Sequence, residues 1–191
     1  MTAGLRKTAA LIALAVMFTG CSAPAESESG AALPDVVGSM DIRYAEQFSV
    51  DYLADGSALA EVADGRRYLI IPDGGEVPEQ LPEDVTVISQ PENIYLASSS
   101  SMDLFSSLDC LGDILASSTP ESGWKLPEIA QAMADEDILY AGKYSSPDIE
   151  LLMSEGCDLA IENMMIYHSP KTAEQIESCG IPVFIERSSA E

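Results

Sequence analysis

Basic residues are scarce in this chain. Nine Lys and Arg stand against 32 Asp and Glu, a formal net charge of −23. Phosphate contacts need Lys and Arg, so a surface this acidic argues against nucleic-acid binding and against lying flat on an anionic membrane. Histidine occurs once, at His168, and tryptophan once, at Trp124. There is no Gly-x-Ser-x-Gly, no Walker loop and no His-Glu-x-x-His, so the sequence offers no catalytic set and predicts no enzyme. No Cys-x-x-Cys pair exists, which removes the common zinc and redox patterns. No apolar run approaches the ~20 residues that cross a bilayer.

What is present begins at the amino terminus. Arg6 and Lys7 precede an apolar run from Ala9 to Phe18, and Thr19-Gly20-Cys21 follows. A basic start, a short apolar core and small residues at a cleavage point form a secretory signal over 1–20. Cys21 directly after Thr-Gly resembles the lipobox of bacterial lipoproteins, which implies a diacylglycerol thioether on Cys21 and usually an N-acyl group such as palmitate. Two or three acyl chains, at roughly 0.8 kcal/mol per buried methylene, anchor stably. The competing reading is an ordinary signal with an incidental Cys. Either way the chain is expected outside the cytoplasm, and with the lipid it is held on the outer face of the cell membrane. Removing 1–20 takes away two bases and no acid, moving the net charge from −23 to −25. Cys110, Cys157 and Cys179 remain. They suit buried small hydrophobes, and a Cys157–Cys179 bridge stays open.

Residues 21–40, rich in Ser, Ala, Gly, Pro and Glu, predict a flexible tether. Residues 41–90 predict an antiparallel β-hairpin region. Leu59–Val62 and Tyr68–Ile71 flank Asp64-Gly65, a strong hairpin signal, and Val85–Ile88 is a further short strand. From 91 onward, strand and helix alternate. Ile94–Ala97 leads into four serines and a helix with Met102, Phe105 and Leu108 on one face. Ile114–Ala116 and Ile138–Ala141 are strands around a helix at Pro127–Ala134. Ser146-Pro147 and Ser169-Pro170 each start a helix that a glycine stops, Gly156 and Gly180, and each helix leads to a strand ending in glutamate, Glu162 and Glu186. In the first of these helices Ile149, Leu152 and Met153 face inward. Such alternation implies an α/β fold, a Rossmann-like parallel sheet flanked by helices with right-handed crossovers. Ligands of such sheets sit outside the carboxyl ends of the strands.

Three passages carry a family likeness: NIYLASSSSMDLFSSLDCLGDI from Asn93, YAGKYSSPDIELLMSEGCDLAIE from Tyr140, and GIPVFIERSS from Gly180. Over 91–191 the chain resembles the amino-terminal lobe of ABC-transporter substrate-binding proteins of the iron-siderophore and vitamin B12 class. That resemblance implies one lobe of a two-lobed binding protein, a membrane permease and an ATPase as partners, and a metal chelate as ligand rather than a resident cofactor. The family's second lobe follows a linker helix, and this chain stops at Glu191, before it; the expectation is a fragment, a truncated product or a one-lobed relative. The resemblance also implies that Glu150, on the outward face of its helix, docks on permease arginines.

The strand-end residues supply ligand candidates. Ser99 and Ser100, with Ser101, either bind an anionic ligand oxygen or cap their helix. Tyr144, Tyr167 and His168 suit an aromatic chelate or iron itself, though a lone exposed His is more often without a role. Trp124 lines the cleft or plugs the core. Met164 and Met165 form an adaptable apolar wall or pack inside. Arg187 meets an anionic chelate or pairs with Glu186 or Glu162. The function that follows is capture of an iron chelate, siderophore or haem-like, and delivery to a permease. The alternative is a single-lobed surface lipoprotein acting as an interaction or sensing module.

Overall fold

Asp-Gly at 64–65 makes the turn that organises the first half of the molecule. Gly65 takes φ +87°, a conformation that costs a residue without Cβ little. Its N–H donates to the Val62 carbonyl at 2.8 Å, and the Val62 N–H closes the loop on Arg66 at 3.0 Å. The structure is a computed structural model that describes residues 32–187. The signal sequence, Cys21 and most of the tether lie outside the described residues.

Five strands form the first sheet, in sequence order: β1 Val36–Ser39, β2 Phe48–Leu53, β3 Ala58–Val62, β4 Arg67–Ile71 and β5 Val85–Ser89. The β1 strand falls within the span predicted as tether. Its polar neighbours hide the signal, because all four of its residues are exposed and pairing with β2 alone holds them. The β2–β4 strands form the antiparallel hairpins that the sequence predicts and β1 adds antiparallel to β2, but β5 runs parallel to β4. Parallel pairing needs a long return, which residues 72–84 provide without a helix.

The second sheet is wholly parallel. It contains β6 Ile94–Leu96, β7 Ile114–Ser117, β8 Leu139–Tyr140, β11 Leu159–Asn163 and β12 Val183–Glu186, in the spatial order β8-β7-β6-β11-β12. The connecting helices are α1 Ser99–Ser107, α2 Pro127–Ala134, α3 Ile149–Ser154 and α4 Pro170–Ser178. The chain steps outward from β6 to β8, then returns to the other side of β6 for β11 and β12.

Each face of this sheet has its own core. Tyr95, Ala160, Val183 and Ile185 pack with Leu152 of α3 and Ala173 and Ile176 of α4. On the opposite face Ile94, Leu96, Leu159 and Ile161 pack with Met102 of α1, Ile129 of α2, and Ala60, Val62, Tyr68 and Ile88 of the first sheet. The two sheets therefore share apolar side chains. The far face of the first sheet buries Leu53, Leu69 and Ile71, against which Leu81 of the long return packs.

Two helix readings need correction. Ser146-Pro147 does not start α3. It forms β10, which pairs antiparallel with β9, Gly142–Lys143. The helix starts at Ile149 because Asp148 caps it, its carboxylate accepting from Leu151 N–H at 3.0 Å. The later start makes α3 a short helix in which Leu152 is buried, Leu151 half-buried and Met153 56% exposed. Likewise α1 ends at Ser107, so Leu108 falls past the helix at 72% exposure instead of continuing its buried face. By contrast α2 and α4 form where the Pro-led patterns predict, and Gly180 takes φ +81° after α4.

Candidate functional site

The strand order places a crevice before any side chain is considered. Connections leave β6 in one direction and arrive at β11 from the other, so the loops after β6 and β11 diverge at their carboxyl ends. Ligands of open parallel sheets bind at such a reversal. Here the diverging segments are Ser98–Ser101, which enters α1, and Met164–His168, a 3-10 turn after β11. A cavity of about 360 Å³ lies there, lined by Ser100, Asn163, Met164, Met165, His168 and Glu186.

Local sequence explains how these side chains are held. Asn163 ends β11, and its side-chain oxygen accepts from Met165 N–H at 2.8 Å, starting the turn. Ile166 points inward at 1% exposure and pins the turn, while Met165, Tyr167 and His168 stay exposed. Ser98 is fully buried. Its hydroxyl donates to Glu186 Oε1 at 2.6 Å, and the Ser100 hydroxyl reaches the same oxygen at 3.3 Å. The Ser101 hydroxyl donates in turn to Ser98 at 3.2 Å. Thus the serine loop holds a carboxylate of the chain itself, and Ser98, the residue before α1, makes no side-chain capping bond.

Glu162, one residue before Asn163, is completely buried, and neither carboxyl oxygen has a hydrogen-bond partner. Burial pushes its pKa up to about 8. The Tyr95 hydroxyl is also buried without a partner. Its pKa is raised, first by burial and then by Glu162. Tyr95 pairs with Ala160 across β6 and β11, two residues before Glu162, so both point to the face that carries α3 and α4.

The predicted ligand residues divide. Ser100, Met164 and His168 meet in the crevice. Ser99 is exposed on the first turn of α1 and does not line it. Tyr144 packs against the core beside α3 and α4. Trp124 is half-buried and packs against the opposite core, and its indole N–H donates to the Thr119 carbonyl at 3.2 Å. The Tyr167 hydroxyl donates to Asp64 of the hairpin turn. Arg187 donates to Gln47 at 3.2 Å and to the Tyr167 hydroxyl at 3.4 Å. Both side chains thereby join the first sheet to the end of the second. Asn163 and Ser98 were not predicted as site residues. Their signal was positional, since both follow buried strand residues at carboxyl ends.

Among the described residues, no group of three or more His, Cys, Asp or Glu is placed to hold a metal ion. Cys110, Cys157 and Cys179 are free thiols, so the open Cys157–Cys179 bridge is not formed. Among the same residues, no helix is long and apolar enough to cross a membrane. Glu150 is exposed in the first turn of α3, the placement that its helix position predicts.

No protein-family model matches the chain, and no curated protein matches it in sequence. Among solved structures, the crystal structure of the petrobactin-binding protein YclQ from Bacillus subtilis aligns with a TM-score of 0.43 at 14% identity. The alignment covers 68% of this chain and 37% of that one, so this chain spans well under half of that protein's length.

Proposed function

We propose that the α/β unit is a ligand-binding lobe that captures a metal chelate of the siderophore or haem type outside the cell and hands it to a membrane importer. One observation supports this reading above the others. The strand-order reversal carries a cavity whose wall includes Met164, Met165 and His168, soft and adaptable side chains on a short turn, beside hydroxyl and carboxylate groups. Such a wall suits a bulky chelate with apolar edges. The chemistry is binding and release, with no bond made or broken.

The finer parts of the proposal rest on the sequence. Lipid on Cys21 would keep the lobe near its permease, and Glu150 would dock on that permease together with its ATPase. Calorimetric titration with a ferric catecholate, a ferric hydroxamate and haem tests the ligand class. Binding of one class, weakened about tenfold by His168→Ala or Met164→Ala, is expected (1.4 kcal/mol per factor of ten). Binding of none, or binding that both variants leave unchanged, overturns the reading. Exchange of Glu150 for Arg should stop chelate uptake while leaving chelate affinity intact. Exchange of Cys21 for Ser should release the chain from the membrane fraction.

A further inference from the structure

A second cavity, of about 460 Å³, lies on the other side of Glu186, between β2, α1 and the end of β12. Phe48, Leu104, Phe105 and Phe184 are among its apolar lining residues. Phe48 keeps 41% exposure and Leu104 59%. Large apolar side chains left open to water inside a concavity, with a few polar groups at one edge, are the usual form of a small-molecule site.

The polar edge has a definite chemistry. Among the described residues lining the cavity, Arg187 is the only basic one. Its guanidinium donates to Gln47 Oε1 and to the Tyr167 hydroxyl, so the groups it touches directly are neutral, and the Asp64 carboxylate on that side lies one hydroxyl further off. The Glu186 carboxylate also borders the cavity, but its Oε1 is taken by Ser98 and Ser100 on the crevice side. A planar guanidinium held by hydrogen bonds on a residue that lines an apolar pocket fits a carboxylate.

We propose that this cavity binds an amphipathic monocarboxylate, its alkyl or aryl body among the phenylalanines and its carboxylate on Arg187. The site is separate from the strand-reversal crevice, and it stands whether or not that crevice binds a chelate.

The test uses the full chain carrying Cys21→Ser, so that no acyl group competes. Anilinonaphthalene sulfonate serves as the fluorescent probe, displaced by hexanoate, heptanoate and octanoate, with octanol and octylamine as head-group controls. Affinity should rise roughly fourfold per added methylene, the equivalent of about 0.8 kcal/mol. Octanoate should outcompete octanol, and octylamine should compete least. Arg187→Gln should bring octanoate down to the affinity of octanol and leave octanol unchanged. Leu104→Asp, at an exposed helix position where folding is not at stake, should weaken every member of the series. Octylamine competing as well as octanoate overturns the proposal, as does octanoate binding that neither variant changes. Loss of octanoate binding in His168→Ala, with Leu104→Asp unaffected, would move the ligand to the other cavity and also overturn it.

Discussion

The Ser98 hydroxyl donates to Glu186 Oε1 at 2.6 Å, which ties the end of β6 to the end of β12 across the intervening strand β11. Both residues are buried, Ser98 completely. The contact replaces the ligand anion that a serine loop at a helix start suggests with a carboxylate from the same chain.

Removing that hydroxyl has a definite consequence. A hydrogen bond to a charged group contributes about 1.5–3 kcal/mol. Ser98→Ala should lower unfolding free energy by that amount in urea denaturation. A loss under about 0.5 kcal/mol would show that the bond contributes little to the native state.

A different buried hydroxyl, that of Tyr68, joins the two sheets. Tyr68, on β4, is 1% exposed; its hydroxyl donates to the Val183 carbonyl at 3.2 Å and accepts from Ile185 N–H at 3.4 Å. The ring also packs on Phe184 with centroids 4.9 Å apart. Tyr68→Phe keeps the ring and removes only the polar bridge. It should cost about 1–3 kcal/mol, because a buried N–H and a buried carbonyl each lose a partner. Equal stability of the two proteins in guanidinium titration would contradict the bridge.

The start of α3 gives a sharper comparison, since two candidate caps lie two residues apart. Asp148→Ala should cost about 1 kcal/mol, the usual effect of losing an N-cap acceptor. Ser146→Ala should cost much less, because Ser146 is exposed in the β9–β10 hairpin. The reverse order of effects, measured by thermal unfolding, would restore the helix start that Ser-Pro suggests.

That helix start also shows what local pattern can reveal. Long-range order was legible wherever local signals agreed. Asp64-Gly65 marked the hairpin, Pro127 and Pro170 opened helices, and Gly156 and Gly180 closed them at positive φ. The two strand-then-glutamate units were legible as neighbours of one sheet. What could not be read depends on partners distant in sequence. The exposed β1 exists through its pairing with β2, and β5 joins β4 in parallel only because residues 72–84 carry the chain back. The site divides along the same line. Ser100, Met164 and His168 were legible as strand-end residues, whereas Tyr167 and Arg187 are held by Asp64 and Gln47, more than a hundred residues away.

Trp124 bears on how binding is measured. It is half-buried against the core that α1 and α2 share with the first sheet, and it is not among the residues lining the crevice or the apolar cavity. Tryptophan emission should therefore change by less than about a tenth when octanoate saturates the apolar cavity (an expectation from the ring's packing against the core). Emission quenched by half at saturation with octanoate, which absorbs nowhere near the indole emission, would place that ligand against the indole.

Glu162 supplies the clearest pH signature. In the unfolded chain its carboxyl titrates near the ordinary value of 4.5, and in the folded chain burial moves it to about 8. Below about pH 4.5 both states hold the proton, so burial carries no ionisation penalty there. As pH rises through the window between those values, the unfolded chain releases its proton while the folded chain keeps it, and folding loses stability. Above about 8 the loss is complete and the curve flattens. With 1.36 kcal/mol per unit, the full effect is on the order of several kcal/mol, spread over three decades of proton concentration or more. Glu162→Gln removes the titration and keeps the shape, so its advantage over the native chain should grow steadily from about pH 5 to about pH 8 and then hold constant. Paired urea titrations across that range measure the difference directly. A constant difference between the two proteins throughout would mean that Glu162 is ionised in the folded state at every pH tested, and hence that its carboxyl reaches water or a partner.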